Sequence, residues 1–233
     1  MFERFKSRSL ELERLDTGDY TPEEYVRWQQ EMKYIHHFFG EERALKRSLL
    51  KDLEADRIEM PAILDVGAGS GGLLRQLTTW IDDRRSMFVG CELNETAARS
   101  INTDCVFGVQ CDAMKLPFGD DSFDYAYCSL FLHHMEDDDA KRLITEMGRV
   151  ASRRIYIIDL DRSALAYYAY KLIGRFVLQK FSLEDGSLSI LRSRTMDELK
   201  QLGEKGGLQN VKVERSFINR LVLSGNIGKD GRD

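Results

Sequence analysis

A glycine-rich turn behind a short apolar run is where chemistry first becomes legible in this chain. Leu64-Asp65-Val66-Gly67-Ala68-Gly69-Ser70-Gly71-Gly72 closes the run that starts at Ala62. Glycines at the end of a strand permit a tight turn and let backbone N–H groups approach a ligand closely. Two registers fit. Gly67, Gly69 and Gly72 satisfy the dinucleotide spacing G-x-G-x-x-G, whereas Gly67, Gly69 and Gly71 behind Asp65 satisfy D-x-G-x-G-x-G. Glu92 ends the run Val89-Gly90-Cys91-Glu92, 25 residues after Gly67. That is near the ~20-residue spacing of an acid that hydrogen-bonds ribose hydroxyls, and it equally suits an exposed strand-end acid. Asp112 follows the run Cys105–Val109; it can accept from an adenine amino group or simply hold a turn. Asp124 lies at the start of the next run, Phe123–Cys128. Behind that run stand His133 and His134, two of the four histidines. An imidazole there can take a proton near neutral pH, or can merely shape a pocket.

These side chains need elements to hold them. Apolar runs at 62–66, 87–91, 105–109, 123–128 and 154–158 alternate with helix-length segments at 72–80, 95–101 and 138–151. Strands alternating with helices imply an α/β fold with a parallel sheet covered on both faces. Near the end, runs at 211–217 and 220–224 lie on either side of Ile218-Asn219 and predict an antiparallel hairpin at one sheet edge. The first sixty residues predict a helical cap. Thr21-Pro22-Glu23-Glu24 reads as a capped helix start. Tyr25, Trp28, Met32, Ile35 and Phe39 share one face, and Gly40 can end that helix. A second helix is expected over 41–55. His36 and His37 read as surface and packing, and Asp137-Asp138-Asp139 as helix-start acids.

From Ala62 to Asp161 the chain resembles the class I S-adenosylmethionine-dependent methyltransferases, most of all the small-molecule group that includes quinone-biosynthesis enzymes. The resemblance is carried by Asp65 through Gly71, Glu92, Asp112-Ala113, Leu116-Pro117-Phe118, and Phe123-Asp124 through His133-His134. It implies a Rossmann-like seven-stranded fold with S-adenosylmethionine as cofactor. It implies cofactor contacts from Asp65, Gly67, Gly69, Gly71, Glu92, Asp112 and Ala113, and it leaves the acceptor open. His133 and His134 are the catalytic candidates, and no metal is expected. That cofactor has no pyrophosphate, so the turn needs no cluster of basic side chains. The alternatives are an NAD-dependent oxidoreductase and a non-catalytic S-adenosylmethionine-binding protein. For the former, Tyr167 and Lys171 have the spacing of a catalytic pair but no supporting motif.

Composition limits the partners. Lys plus Arg is 34 and Asp plus Glu 39, a net charge of −5, which argues against nucleic acid. No stretch is long and apolar enough to span a membrane, no signal core opens the chain, and Cys91, Cys105, Cys111 and Cys128 form no C-x-x-C pair. A cytoplasmic protein with reduced thiols is the expectation. The partner is expected to be a small-molecule acceptor, apolar or aromatic and isoprenoid-like. Residues 163–194 are expected to form a helical insertion in the domain 61–233. Lys171, Arg175 and Gln179 form a stripe beside Leu165, Leu172, Ile173, Phe176 and Val177, and no acid occurs between Arg162 and Leu183. Such a helix can roof an apolar pocket, pack on a second copy, or rest on an anionic membrane. Trp28 and Tyr25 are placed as the opposite wall of that pocket.

Overall fold

The computed structural model describes residues 3–38, 40–81 and 83–227, apart from the side chains of residues 33, 34, 36–38 and 227. His36, His37 and Phe39 of the sequence reading thus fall outside the described side chains. Strands β1 (Ala62–Val66), β2 (Met87–Glu92), β3 (Val106–Gln110), β4 (Phe123–Ser129), β5 (Ala151–Leu160), β6 (Leu208–Ser216) and β7 (Arg220–Ile227) form one sheet in the order β3-β2-β1-β4-β5-β7-β6. β1 through β5 pair in parallel, and β7 pairs antiparallel with both β5 and β6. Order reverses between β1 and β4, the switch point outside which such sheets bind ligands at their carboxyl ends.

Alternation along the strands divides the core between the two faces. Leu64, Val66, Ala126, Cys128, Ile155 and Ile157 pack with Leu143, Ile144 and Met147 of α7 (Asp137–Val150) and Leu199 and Leu202 of α10 (Met196–Lys205). Ile63, Phe88, Tyr125, Tyr127 and Tyr156 pack on the other face. They meet Leu45 of α3 (Glu41–Leu45), Leu74 and Leu77 of α5 (Gly72–Trp80) and Ile101 of α6 (Glu95–Ile101). Burial of these side chains on both faces is worth about 1.5–3 kcal/mol each relative to exposure.

Of the sixty residues expected to form a helical cap, 22–38 and 41–56 are helical, whereas 3–19 hold only a 3-10 turn at Glu3–Phe5 and α1 (Arg14–Thr17), a single turn ending at Gly18. α2 (Pro22–Phe38) starts at the expected capping box: Glu24 N donates to Thr21 Oγ1 at 3.2 Å, and Thr21 N to a Glu24 carboxylate oxygen at 3.0 Å. Gly40, with φ of 92°, follows the end of α2 in the left-handed conformation expected of a helix-ending glycine, and it also opens α3 by accepting from Ala44 N at 2.8 Å. A π-helical turn at Lys46–Leu50 joins α3 to α4 (Lys51–Asp56). The insertion consists of α8 (Ala164–Val177) and α9 (Lys180–Arg192). Gln179 leaves the expected basic stripe because α8 ends at Val177. It starts α9 instead, and its side chain donates to Glu24 O at 2.8 Å. Tyr25 and Trp28, expected opposite residues 163–181, meet the end of that segment at Phe181. Trp28 stacks on Phe181 of α9 at 6.3 Å, and Tyr25 joins the stack through Trp28 and Tyr20.

Candidate active site

The glycine turn distinguishes its two sequence registers. Gly67, Gly69 and Gly71 have φ of 74°, 54° and 76°, a left-handed region in which any other residue is strained. Gly72 has no such φ and is simply the first residue of α5. The D-x-G-x-G-x-G register is therefore the one the backbone uses. Gly67 N and Ala68 N both donate to Cys91 O, at 3.0 and 2.9 Å, which ties the turn to the end of β2. A side chain on Gly67 would meet the Phe131 ring at 2.9 Å, whereas one on Gly69 would meet nothing within 4 Å. The turn is thus tight beneath and open above Gly69.

Glu92 is held at the rim of this opening. One carboxylate oxygen accepts from Gly69 N at 3.0 Å, the other from Asn94 N at 3.2 Å. Asp112 is exposed, and it holds its own turn by accepting from Met114 N at 2.8 Å, with Ala113 half-buried beside it. Asp65 lies behind the turn, buried, accepting from the Tyr127 hydroxyl at 2.9 Å. Burial drives its carboxyl up to about 7 despite that hydrogen bond, and the negative charges of Glu92 and Glu41 push the same way. Glu41 opens α3 and meets Ser129 at the end of β4 and the buried Arg220 at the start of β7. Three carboxylates thus converge on the end of β1. Asp124 is not part of this group: it lies at the opposite end of β4 and accepts from Ala62 N at 2.9 Å.

β4 runs out into a strained connection. Leu130 takes a φ of 50° while its N–H donates to Ile158 O at 2.8 Å, and the next residue is the Phe131 that covers Gly67. His133 follows in a short 3-10 turn and is buried. Asp159, near the end of β5, grips it twice: one oxygen accepts from His133 N at 2.9 Å, the other contacts Nδ1 at 2.7 Å. Burial pushes the Asp159 carboxyl up, but His133 and the Leu160 N–H more than offset this and hold it below its ordinary value. With Nδ1 donating to Asp159, the lone pair of a neutral His133 is on Nε2, which lies 3.9 Å from Glu13 Oε1. His134 is half-buried, its ring centroid 4.2 Å from that of His133, and its Nδ1 is 3.1 Å from Asp16.

Glu13 and Asp16 belong to a strap, residues 3–19, laid over α9 and the histidine turn. Asp185 accepts from Arg14 N and Leu15 N, both at 2.9 Å, and Arg8 donates to His133 O and Met135 O. Burial raises Glu13 to about 7, against the pull of His134, Ser189 and Arg192. Burial acts in the same sense on Asp16, but hydrogen bonds and charge from His134 and Arg192 keep that acid ionised far below its ordinary range. Glu13, His133 and His134 each place a potential metal-ligand atom within 4.8 Å of the others. Arg192 Nη1 stands 3.7 Å from Glu13 Oε1, so that carboxylate already faces a cation.

The sequence-derived candidates therefore fall into two groups, both at the carboxyl ends of the central strands. Gly67, Gly69, Gly71, Glu92, Asp112 and Ala113 flank an opening above β1 and β2, with Asp65 beneath it; His133 and His134 sit beyond β4. Phe131 bridges them. Sequence reasoning missed Asp159, Tyr127, Glu41 and the strap acids. An acid near the end of a strand, Ile157-Ile158-Asp159, could have signalled the first. Nothing local marks Glu13 or Glu41.

A family model described as a methyltransferase domain matches residues 63–154. Among curated relatives, a demethylmenaquinone methyltransferase of Roseiflexus sp. (strain RS-1) is 36% identical over 92 residues, 38% of this chain and 37% of that one. The ubiquinone/menaquinone biosynthesis C-methyltransferase UbiE of Burkholderia vietnamiensis is 26% identical over 170 residues, 64% of this chain and 68% of its own. The chain thus spans little more than a third of the first of these relatives. Among solved structures, the plantazolicin methyltransferase BpumL superposes with a TM-score of 0.69 at 16% identity, covering 88% of this chain and 91% of that one. Human N-acetylserotonin methyltransferase in complex with SAM gives 0.64 at 16% identity, over 88% of this chain and 57% of that one.

Proposed function

We propose, for a chain whose fold is that of the class I S-adenosylmethionine-dependent methyltransferases, that it transfers a methyl group from S-adenosylmethionine to a small apolar or aromatic acceptor. The observation that carries this reading is the charge at the glycine turn. Asp65, Glu92 and Glu41 lie close enough for the latter two to raise the first. Arg220 offsets Glu41, and burial resists the ionisation of Asp65, so the Glu92 carboxylate at the open rim contributes most to a field that disfavours a pyrophosphate and favours a ligand carrying a sulfonium and an ammonium. This is the physical argument for S-adenosylmethionine over NAD. Open space above Gly69 and the half-exposed Glu92 fit a ribose whose hydroxyls donate to that carboxylate.

Bound there, S-adenosylmethionine supplies an electrophilic methyl carbon whose bond to sulfur breaks as the bond to the acceptor forms. The protein's part is alignment and proton removal. His133 takes the acceptor's proton at Nε2, and Asp159 fixes the tautomer and steadies the imidazolium that results. His133 is the better base of the two because its carboxylate partner comes from the rigid β5; the partner of His134 comes from the strap. An acceptor hydroxyl reaches Nε2 where Glu13 now faces it, so the strap must yield at that point. Quinol-like acceptors are favoured by the partial similarity to the two quinone-pathway enzymes. The test is a screen of phenols, quinols and isoprenoid-tailed acceptors, with S-adenosylhomocysteine and the methylated product read by mass spectrometry. Efficient turnover of a free sugar or glycine, with none of the apolar acceptors consumed, would overturn the acceptor class. Cofactor binding with no acceptor consumed across a broad set would favour a binding protein.

A further inference from the structure

We infer that the outward face of α8 is a membrane-docking surface for anionic lipid, independent of which acceptor is methylated. Leu165, Leu172, Ile173, Phe176 and Val177 are 82%, 60%, 63%, 74% and 64% exposed. Their spacing is helical: 165, 172 and 176 run along one line, 169 joins them, and 168 and 173 lie to either side. The buried side of the same helix is narrow, with Tyr167 and Gly174 buried and the Tyr170 hydroxyl donating to Ser182 O of α9. A core-packing helix would turn its larger side chains inward; this one presents them to solvent over three turns. Scattered apolar residues on a surface are ordinary, but a continuous ridge marks a contact.

Charge selects the occupant. Lys171 and Arg175 lie four residues apart along one margin of the ridge, and Arg4 joins them. Arg4 and Lys171 each lie over the Tyr167 ring, 5.5 and 5.4 Å from its centre, and Arg175 lies over Phe176 at 4.9 Å. Among the described residues none of these three cations has a carboxylate partner, whereas Lys180 is paired with Glu184 at 3.7 Å. An apolar ridge edged by cations without carboxylate partners, Arg4 also donating to the Tyr167 hydroxyl at 2.8 Å, matches the headgroup and acyl boundary of an anionic bilayer. A second copy of the chain would bring the same cations to the same contact. The net charge of −5 opposes adsorption overall, so the cations act locally, within about a Debye length of the surface (~8–10 Å at physiological salt), and the apolar side chains carry most of the binding. The helix follows β5, whose Asp159 holds His133, so docking there sets the site close to the lipid from which an apolar acceptor is drawn.

The experiment is flotation of the intact protein with phosphatidylcholine vesicles, with and without about one-third phosphatidylglycerol. No cofactor or acceptor is present, so its result does not depend on the methyl-transfer reading. The protein is expected to float with the anionic vesicles, and less so as salt rises. Phe176→Asp should lower binding roughly 10- to 100-fold, the loss of one inserted aromatic. Lys171→Glu with Arg175→Glu should remove the preference for anionic lipid, about 5-fold or more per charge. All three side chains are exposed, so unchanged circular dichroism melting is expected to accompany these losses. A protein that stays in solution with both vesicle types overturns the inference. So does a stable dimer in light scattering that Phe176→Asp dissociates.

Discussion

Replacing Asp65 with asparagine removes a charge that burial already resists. The carboxyl lies 3% exposed beneath the glycine turn, and its pKa rises from the ordinary 3.8 to about 7. The unfolded chain releases that proton near 3.8, so between 3.8 and 7 the folded state binds more protons than the unfolded state. Stability from this group therefore falls as pH rises through that window. Fully ionised above pH 7, the buried charge costs on the order of 4 kcal/mol. Asparagine keeps an oxygen to accept from Tyr127 but adds an amide N–H2 that needs partners, a cost of about 1–3 kcal/mol at every pH. The informative quantity is thus the change in the difference with pH. From pH 5 to pH 8, Asp65→Asn should gain roughly 2–3 kcal/mol relative to the parent chain. Urea unfolding at pH 5, 6, 7 and 8 reads this directly, and melting temperatures should separate by about 5–10 °C over the same range. A stability difference that stays constant from pH 5 to 8 refutes the reasoning, because the carboxyl would then ionise normally in the folded state.

Glu92→Ala should weaken S-adenosylmethionine binding by about 1–3 kcal/mol in titration calorimetry, through loss of a carboxylate at the open rim of the turn; unchanged affinity would exclude it as the ribose partner. Asp159→Asn and His133→Ala should each lower turnover about 10²–10⁴-fold while cofactor affinity stays nearly constant, and steady-state rates beside calorimetry separate the two effects. Full activity in both variants would remove His133 from the chemistry. Ile218 holds a φ of 46° at the β6–β7 turn while 43% exposed, a poor conformation for a β-branched side chain. Ile218→Asn should therefore stabilise the protein by about 0.5–1 kcal/mol in urea, and a loss of stability would show that the side chain's contacts outweigh its backbone strain.

Local pattern made the sheet readable because β1, β2 and β4 are short apolar runs buried on both faces; β3 is half-exposed at the edge, and β5 extends past the expected 154–158 at both ends, from Ala151 to Leu160. Helix α5 from Gly72 and helix α6 from Glu95 lie where the segments between strands predicted them. The hairpin runs deeper than expected: β6 begins at Leu208, three residues before the apolar run, because pairing with β7 rather than residue type sets its start. Cofactor candidates were legible for the same reason as the turn, since glycines at φ above zero leave few substitutes. The surroundings of His133 were not. Asp159 meets it across a strand, and Glu13 and Asp16 come from residues more than a hundred positions away. No periodicity in one segment encodes such a meeting. Gly40 serves two helices, because a left-handed glycine between them fits the end of one and the start of the next equally well. The α8 ridge was visible as composition, but only packing showed that its apolar side faces outward together with its basic margin, leaving Tyr167 and Gly174 as the buried side.

Calorimetric titration of the protein with S-adenosylmethionine and, separately, with NAD tests the central claim most directly. S-adenosylmethionine is expected to bind at the turn of three left-handed glycines, with a net release of protons near pH 7 as the cation draws the buried Asp65 into its ionised form. Tight binding of NAD with no heat from S-adenosylmethionine would contradict the account.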